Sequence, residues 1–258
     1  ITMVVGFFSV GLVGMLLGNG FADSVMYVSL PMMSGGMGAG ITPLSQIYAD
    51  GLANGNQAAI FSQLAPAVTF GNILAIIGAL FIAKAFAKTK YNGHGTLINA
   101  TKEELEKPKI TLNAQQIGVG MLFSFSLLVV GAILSDFFPK IHEYAFMIVI
   151  VFILKALNIV PKKLEDSVVM FNNVVMTNLT HAVLAGIGLA LIDLSTLASA
   201  FTWQFVVLCL TSVVSMGAAS WFFGMVLGMY PVETAIGAGM INNSMGGTGN
   251  IAVLSLSL

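Results

Sequence analysis

SGGMGAGITPLSQIY, residues 34–48, and NNSMGGTGNIAVLS, residues 242–255, are the two stretches that decide how this chain folds. Each places a run of glycine inside a moderately apolar segment. The first segment covers Phe21–Leu52 and also holds Pro31 and Pro43; the second covers Pro231–Leu258. Both are too apolar for solvated loops and too broken for continuous helices. Non-helical backbone at membrane depth survives only where protein or a wet cavity satisfies its polar groups. Re-entrant hairpins meet both demands.

The rest of the composition sets the solvent. Of the 258 residues, 57% are hydrophobic and 8% charged, against about 25% charged in ordinary soluble domains. That few charges cannot cover the surface of a soluble protein of this size, and a lipid bilayer removes the need. The net charge of −1 speaks against a nucleic-acid partner. All the basic residues are lysine, and the single cysteine, Cys209, allows no intrachain disulfide. The chain shows no signal peptide. It opens at Ile1 and closes at Leu258 inside apolar segments, so a longer protein is expected.

Six apolar segments read as membrane-crossing helices: Ile1–Leu17, Ala58–Ala87, Ile117–Leu134, Tyr144–Val160, Val168–Ile192 and Trp203–Gly228. The first and fourth are only just long enough for a core of about 30 Å. The longest polar break, Lys88–Gln116, reads as a solvated loop; Thr101 and Glu104 in it form a possible capping box.

The two glycine-broken stretches belong to a repeat. Gly14-Met15-Leu16-Leu17-Gly18 resembles Gly224-Met225-Val226-Leu227-Gly228, at an offset of 210 residues. Asp23 and Glu233 follow at the same spacing. Gly35-Gly36-Met37-Gly38 and Gly246-Gly247-Thr248-Gly249 match at an offset of 211, and Leu44-Ser45 pairs with Leu254-Ser255. Lysines give the orientation. Nine of the ten fall at the C-terminal end of the second or fourth segment or in the break after it; only Lys140 lies in a break of the other parity. Those breaks are therefore cytoplasmic. Five crossings separate the hairpins, so the second copy is upside down. The expected fold is an all-α polytopic membrane protein, an inverted-topology repeat with two opposed re-entrant hairpins meeting near the midplane. Residues 1–87 are the end of the first repeat, with its hairpin at 21–52. Residues 88–116 are a cytoplasmic linker. Residues 117–258 are the second repeat, with its hairpin at 231–258 and its C-terminal part cut short.

These motifs and their five-span separation resemble the 2-hydroxycarboxylate transporter family, over nearly the whole chain. The resemblance implies a multi-pass protein of the bacterial inner membrane that carries citrate, malate or lactate by symport with sodium or protons, or by exchange. It also implies a homodimer in the lipid bilayer, with a static part and a hairpin-bearing part that moves like an elevator. By position, Gly35, Gly36, Met37 and Gly38 of the first hairpin, and Met245, Gly246, Gly247, Thr248 and Gly249 of the second, would contact substrate. Met37 and Met245 stand where sodium–citrate members carry asparagine and arginine. Members that take malate, or exchange citrate for lactate, stay open.

Asn242, Asn243, Ser244, Thr248 and Asn250 lie within nine residues and offer amide and hydroxyl oxygens suited to a hard cation such as sodium. The alternative is that they only satisfy the hairpin's own backbone. No organic cofactor is implied. Asp23 and Glu233 read as acids near helix N-termini, with ion coupling as the sharper alternative. Asn173, Thr177 and Thr180 beside His181 read as an interhelical hydrogen-bond stripe or a proton relay. Lys155 reads as snorkelling. There is no HExxH, no GxSxG and no cysteine cluster, so an enzyme is not expected. A membrane subunit of a sodium-pumping decarboxylase remains an alternative.

Overall fold

The computed structural model describes residues 1–51, 55–97, 113–138, 141–179 and 201–244, with isolated positions between 182 and 199. Every element among these residues is helical. The chain divides into two compact units, residues 1–105 with 186–258, and residues 106–185.

In the first unit, α1 is Thr2–Leu16. The first hairpin follows. Its outgoing arm, α2 (residues 21–33), joins an α-turn Phe21–Ser24, a π-helical stretch Val25–Ser29 and a last turn Leu30–Met33. Its returning arm, α3 (residues 37–51), joins π-helical Met37–Ile41 to α-helical Thr42–Gly51. Pro31 explains the first π stretch, because a residue without an N–H forces the preceding turn to widen. The arms lie side by side: Tyr48 Oη donates to the Met26 carbonyl at 3.2 Å, and the Tyr27 and Tyr48 rings meet edge-on. The glycine-broken stretch is thus a helical hairpin. Next comes α4, Gln57–Ala85, capped by the Asn56 side chain, which accepts from Ala59 N.

After the second unit the chain returns as α8, Trp203–Val226, capped by Thr202. Then comes α9 (residues 231–244), made of Pro231–Thr234, π-helical Ala235–Met240 and 3-10 Ile241–Ser244.

The repeat survives in atomic detail. Gly18 and Gly228 both end their helices in the left-handed region, at φ 84° and 72°. In both copies the next amide reaches back to a glycine carbonyl, Asn19 N to Gly14 O and Met229 N to Gly224 O, each at 2.9 Å. Those same glycines admit the next turn of chain. A Cβ on Gly14 would lie 1.9 Å from Ser24 Oγ, and one on Gly224 2.1 Å from Thr234 Oγ1. The copies run in opposite directions. Gly6 of α1 faces Met216 of α8, and Gly14 faces Leu208, so α1 ascends where α8 descends. Both copies then widen into a π stretch, five residues in the first and six in the second. The step from an offset of 210 to 211 falls between these turns and the glycine runs.

In the second unit, α5 (Ala114–Phe137) packs on α6 (Glu143–Ala156) and on α7 (Lys162–Val174, with a π stretch Val175–Leu179). Glycine again sets the distance. A Cβ on Gly120 would lie 2.1 Å from Ser167 O, and one on Gly131 2.7 Å from Glu143 O. Lys155 pairs with Glu165, an ion pair at the helix end rather than a free snorkelling chain.

Three helices of the described residues, α4, α5 and α8, are long and apolar enough to cross a bilayer. The sequence expected the first and fourth segments to cross as well. Their helices have 15 and 14 residues, about 21–23 Å at 1.5 Å each. α1 ends within one residue of the expected Leu17, at the left-handed Gly18, whereas α6 stops four residues before the expected Val160 because Asn158, at φ 51°, terminates it. Segment five starts earlier than expected, at Lys162, because Pro161 supplies its N-cap. Thr101, Glu104, Thr180 and His181 lie outside the described residues; Asn173 and Thr177 are exposed on α7 within their unit.

The glycine contacts give opposite signs to one substitution. Gly14→Ala and Gly224→Ala overpack a helix crossing and should each cost about 1–3 kcal/mol. Gly118→Ala meets nothing within 4 Å and should be neutral or stabilise α5 by about 0.5–1 kcal/mol. Thermal unfolding of the purified variants in detergent checks both.

Candidate functional site

The hairpin tip turns on two glycines. Gly35 and Gly36 have φ of 112° and 82°, which a side chain would strain. Around them the backbone is tied by local side chains. Ser34 Oγ donates to Pro31 O at 2.9 Å and Thr42 Oγ1 to Met37 O at 2.9 Å. Gln57, at the start of α4, donates through Nε2 to Thr42 O and Ser45 Oγ, both at 3.3 Å. Met37 turns its side chain onto the apolar cluster of Ile41, Tyr48, Phe61 and Leu64. Gly38 is half-buried beside it.

The two hairpins approach one another at Gly71, halfway along the 29-residue α4. A Cβ there would lie 2.5 Å from Met32 Cε of the first hairpin and 3.3 Å from the Asn243 carbonyl of the second. The leading end of α9 is therefore packed against the end of α2, with α4 behind both. From the other side comes α8. Ser212, near its middle, donates its hydroxyl to Asn243 Oδ1 at 2.6 Å, and Asn243 Nδ2 donates to Gly239 O at 3.3 Å. Ser212 and Asn243 are both fully buried. Of the residues read from the sequence as cation ligands, Asn243 is thus committed to holding α9, with one lone pair of Oδ1 left over. Asn242 is half-buried. Ser244 ends the described part of α9, and Met245, Gly246, Gly247, Thr248, Gly249 and Asn250 lie outside the described residues.

The two acids of the repeat part company. Asp23 is exposed and lines a cleft of about 600 Å³ at the base of the first hairpin, with Asn19, Tyr27, Gln63 and Thr202. Glu233 is 1% exposed and accepts from two backbone amides, Gly93 N at 2.7 Å and Gly95 N at 3.2 Å. The sequence reading did not single out Gly71 or Ser212. One glycine among 28 and one serine in an apolar helix carry no local signal; only their position at the helix crossing marks them.

Long apolar helices, with a glycine-turned helical hairpin and a second copy running the other way, define a polytopic membrane protein. Residues 1–257 match the 2-hydroxycarboxylate transporter family, and the chain belongs to it. It is 84% identical over 257 residues to the malate transporter MleP of Lactococcus lactis subsp. lactis strain IL1403, covering all of this chain and 60% of the relative. It is 46% identical to the citrate transporter CitP of Lactococcus lactis subsp. lactis, over 96% of this chain and 56% of the relative. It is 33% identical to a Na(+)-malate symporter of Bacillus subtilis strain 168, over 95% of this chain and 55% of the relative. The chain thus spans somewhat over half the length of these relatives.

Ser212 and Asn243 should behave as one unit. Ser212→Ala leaves a fully buried amide oxygen short of its donor, at a cost of about 1–3 kcal/mol. The double variant Ser212→Ala/Asn243→Ala should fall short of the sum of the singles by about 1 kcal/mol, as for a contacting pair. A double-mutant cycle on thermal stability in detergent measures this.

Proposed function

We propose that the full-length protein is a secondary transporter that moves a small hydroxy di- or tricarboxylate, malate before citrate, across the bacterial cytoplasmic membrane by cation symport. The observation that carries this reading is the meeting of the first hairpin with α9, from copies running in opposite directions, halfway along α4 at Gly71. The relative at 84% identity is a malate transporter, which favours malate as substrate. The protein is read as a carrier and not an enzyme. In this reading both hairpins are re-entrant, and the unit that holds them shuttles as an elevator within a homodimer.

An unpaired carboxylate at membrane depth costs several kcal/mol or more, so the site must offer it positive charge. Backbone N–H groups at the Gly35–Gly36 turn offer partial positive charge, as helix N-termini do for anions. A bound sodium ion would add a full positive charge. The donor set fits it: the remaining lone pair of Asn243 Oδ1, with Asn242, Ser244, Thr248 and Asn250, presents neutral oxygens. A neutral cage holds a cation weakly and gains when an anion docks beside it. Two opposite charges 4 Å apart attract by about 4 kcal/mol at an effective dielectric near 20, before desolvation. Cation and substrate would then bind together, as symport requires. Met37 lies in the apolar cluster, which fits contact with substrate through its backbone rather than its side chain.

Proteoliposomes of the full-length protein test the reading with malate, citrate and lactate, with and without sodium or a proton gradient. Malate uptake driven by a sodium gradient is expected, and Thr248→Val and Ser244→Ala should raise the half-saturating sodium concentration several-fold. Uptake indifferent to sodium moves the coupling to protons or to product exchange; no carboxylate uptake sinks the assignment.

Sided labelling tests the topology separately. In a Cys209→Ala background, an impermeant maleimide should reach Ser34→Cys from outside and Asn250→Cys from the cytoplasm. Reaction of both from one face alone contradicts opposed hairpins.

A further inference from the structure

Glu233 is the one acid among the described residues that is fully buried. Its surroundings are a piece of chain 140 residues away. After α4 the backbone runs through residues 91–97 and lies across the base of α9. Gly93 N and Gly95 N converge on Glu233 Oε1, as successive amides do when a turn enters the left-handed region. His94 and Gly95 supply that geometry, at φ 50° and 88°. The strap also takes up amides at the start of α9 that have no partner within the helix. Tyr230 N donates to Leu97 O at 3.1 Å and Val232 N to Tyr91 O at 3.3 Å. Gly93 cannot be replaced easily, since a Cβ there would lie 2.3 Å from the Tyr230 ring. On the other side, Phe86 and Tyr91 rest on Trp221 of α8. The strap is thus bound to α9, to α8 and, covalently, to α4. Among the described residues nothing comparable covers Asp23, its counterpart, which is exposed to the cleft.

We infer that Glu233 is a positioning residue for transport, whose carboxylate clamps residues 91–97 over the base of the second hairpin so that α9 and α4 move as one body. The inference rests on the transport reading for what moves, but the clamp is a contact that can be measured without transport. Hairpin two then cannot open at its base as an independent gate. The amides of Gly93 and Gly95 require an acceptor at Oε1 and not a charge. Glutamine keeps that acceptor and alanine removes it.

The test uses the full-length protein in a Cys209→Ser background. Leu97→Cys and Tyr230→Cys sit a backbone hydrogen bond apart, within the reach of a disulfide. The pair should cross-link on mild oxidation, and the cross-linked protein should take up carboxylate within about two-fold of the reduced protein. Glu233→Ala should weaken cross-linking and lower maximal uptake at least five-fold with KM within about two-fold. Glu233→Gln should keep more than half of both signals. The inference is overturned if cross-linking stops uptake and reduction restores it, because the strap must then release. It is equally overturned if Glu233→Ala takes up substrate at the parental rate, or if Glu233→Gln is as impaired as Glu233→Ala. If the parent carries no carboxylate, the transport reading fails by itself. Loss of cross-linking in Glu233→Ala then still supports the clamp, and undiminished cross-linking overturns it.

Discussion

A backbone amide or carbonyl in hydrocarbon has no water to turn to, and most of this molecule is arranged around that fact. Straight helices satisfy it within themselves. The glycine-broken hairpin does not, and so it recruits neighbours. Ser34, Thr42 and Gln57 each place a polar group on backbone near the turn. Asn243 does the same for the second hairpin and is itself held by Ser212. Apolar cover comes from α4, whose Phe61 and Leu64 are buried beneath the first hairpin. The cost of breaking a helix is offset by a shell of contacts. That shell keeps the freed groups at Gly35–Gly36 in one arrangement.

Close approach is the second requirement. Gly6, Gly14, Gly71, Gly217, Gly224 and Gly239 all stand where a methyl group would run into a neighbour. In lipid there is little hydrophobic gain from helix association, so packing at short range carries more of the stability. These positions are the joints of the first unit. The methionines that meet them, Met32, Met216 and Met240, bring flexible side chains that fill the irregular gaps left by glycine.

How much of this could be read from residues alone varies with the kind of signal. Long apolar runs announced α4, α5 and α8, because burial in lipid is written in composition. The repeat was legible in Gly14, Gly18 and Asp23 against Gly224, Gly228 and Glu233, since turn glycines and their spacing are local. The end of α6 was not, because a single left-handed residue, Asn158, decides it. The π stretches were equally silent. The side-chain pairings around α9 were not legible either. That Asn243 faces Ser212, and that Glu233 answers to Gly93 and Gly95, depends on pairings 31 to 140 residues apart. No local pattern encodes those.

Gly6 meets Met216, and those positions are one another's counterparts across the repeat. A contact between equivalent positions of opposed copies is self-complementary, the kind found on the axis of a two-fold dimer. If the two halves were once separate identical chains inserted in both orientations, that position had to tolerate itself. Gene fusion lifts the restriction. One side can shrink to hydrogen while the other grows to a thioether, and the axis becomes a knob in a socket. The mismatch at this one contact is a trace of symmetry relaxed after the two copies were joined.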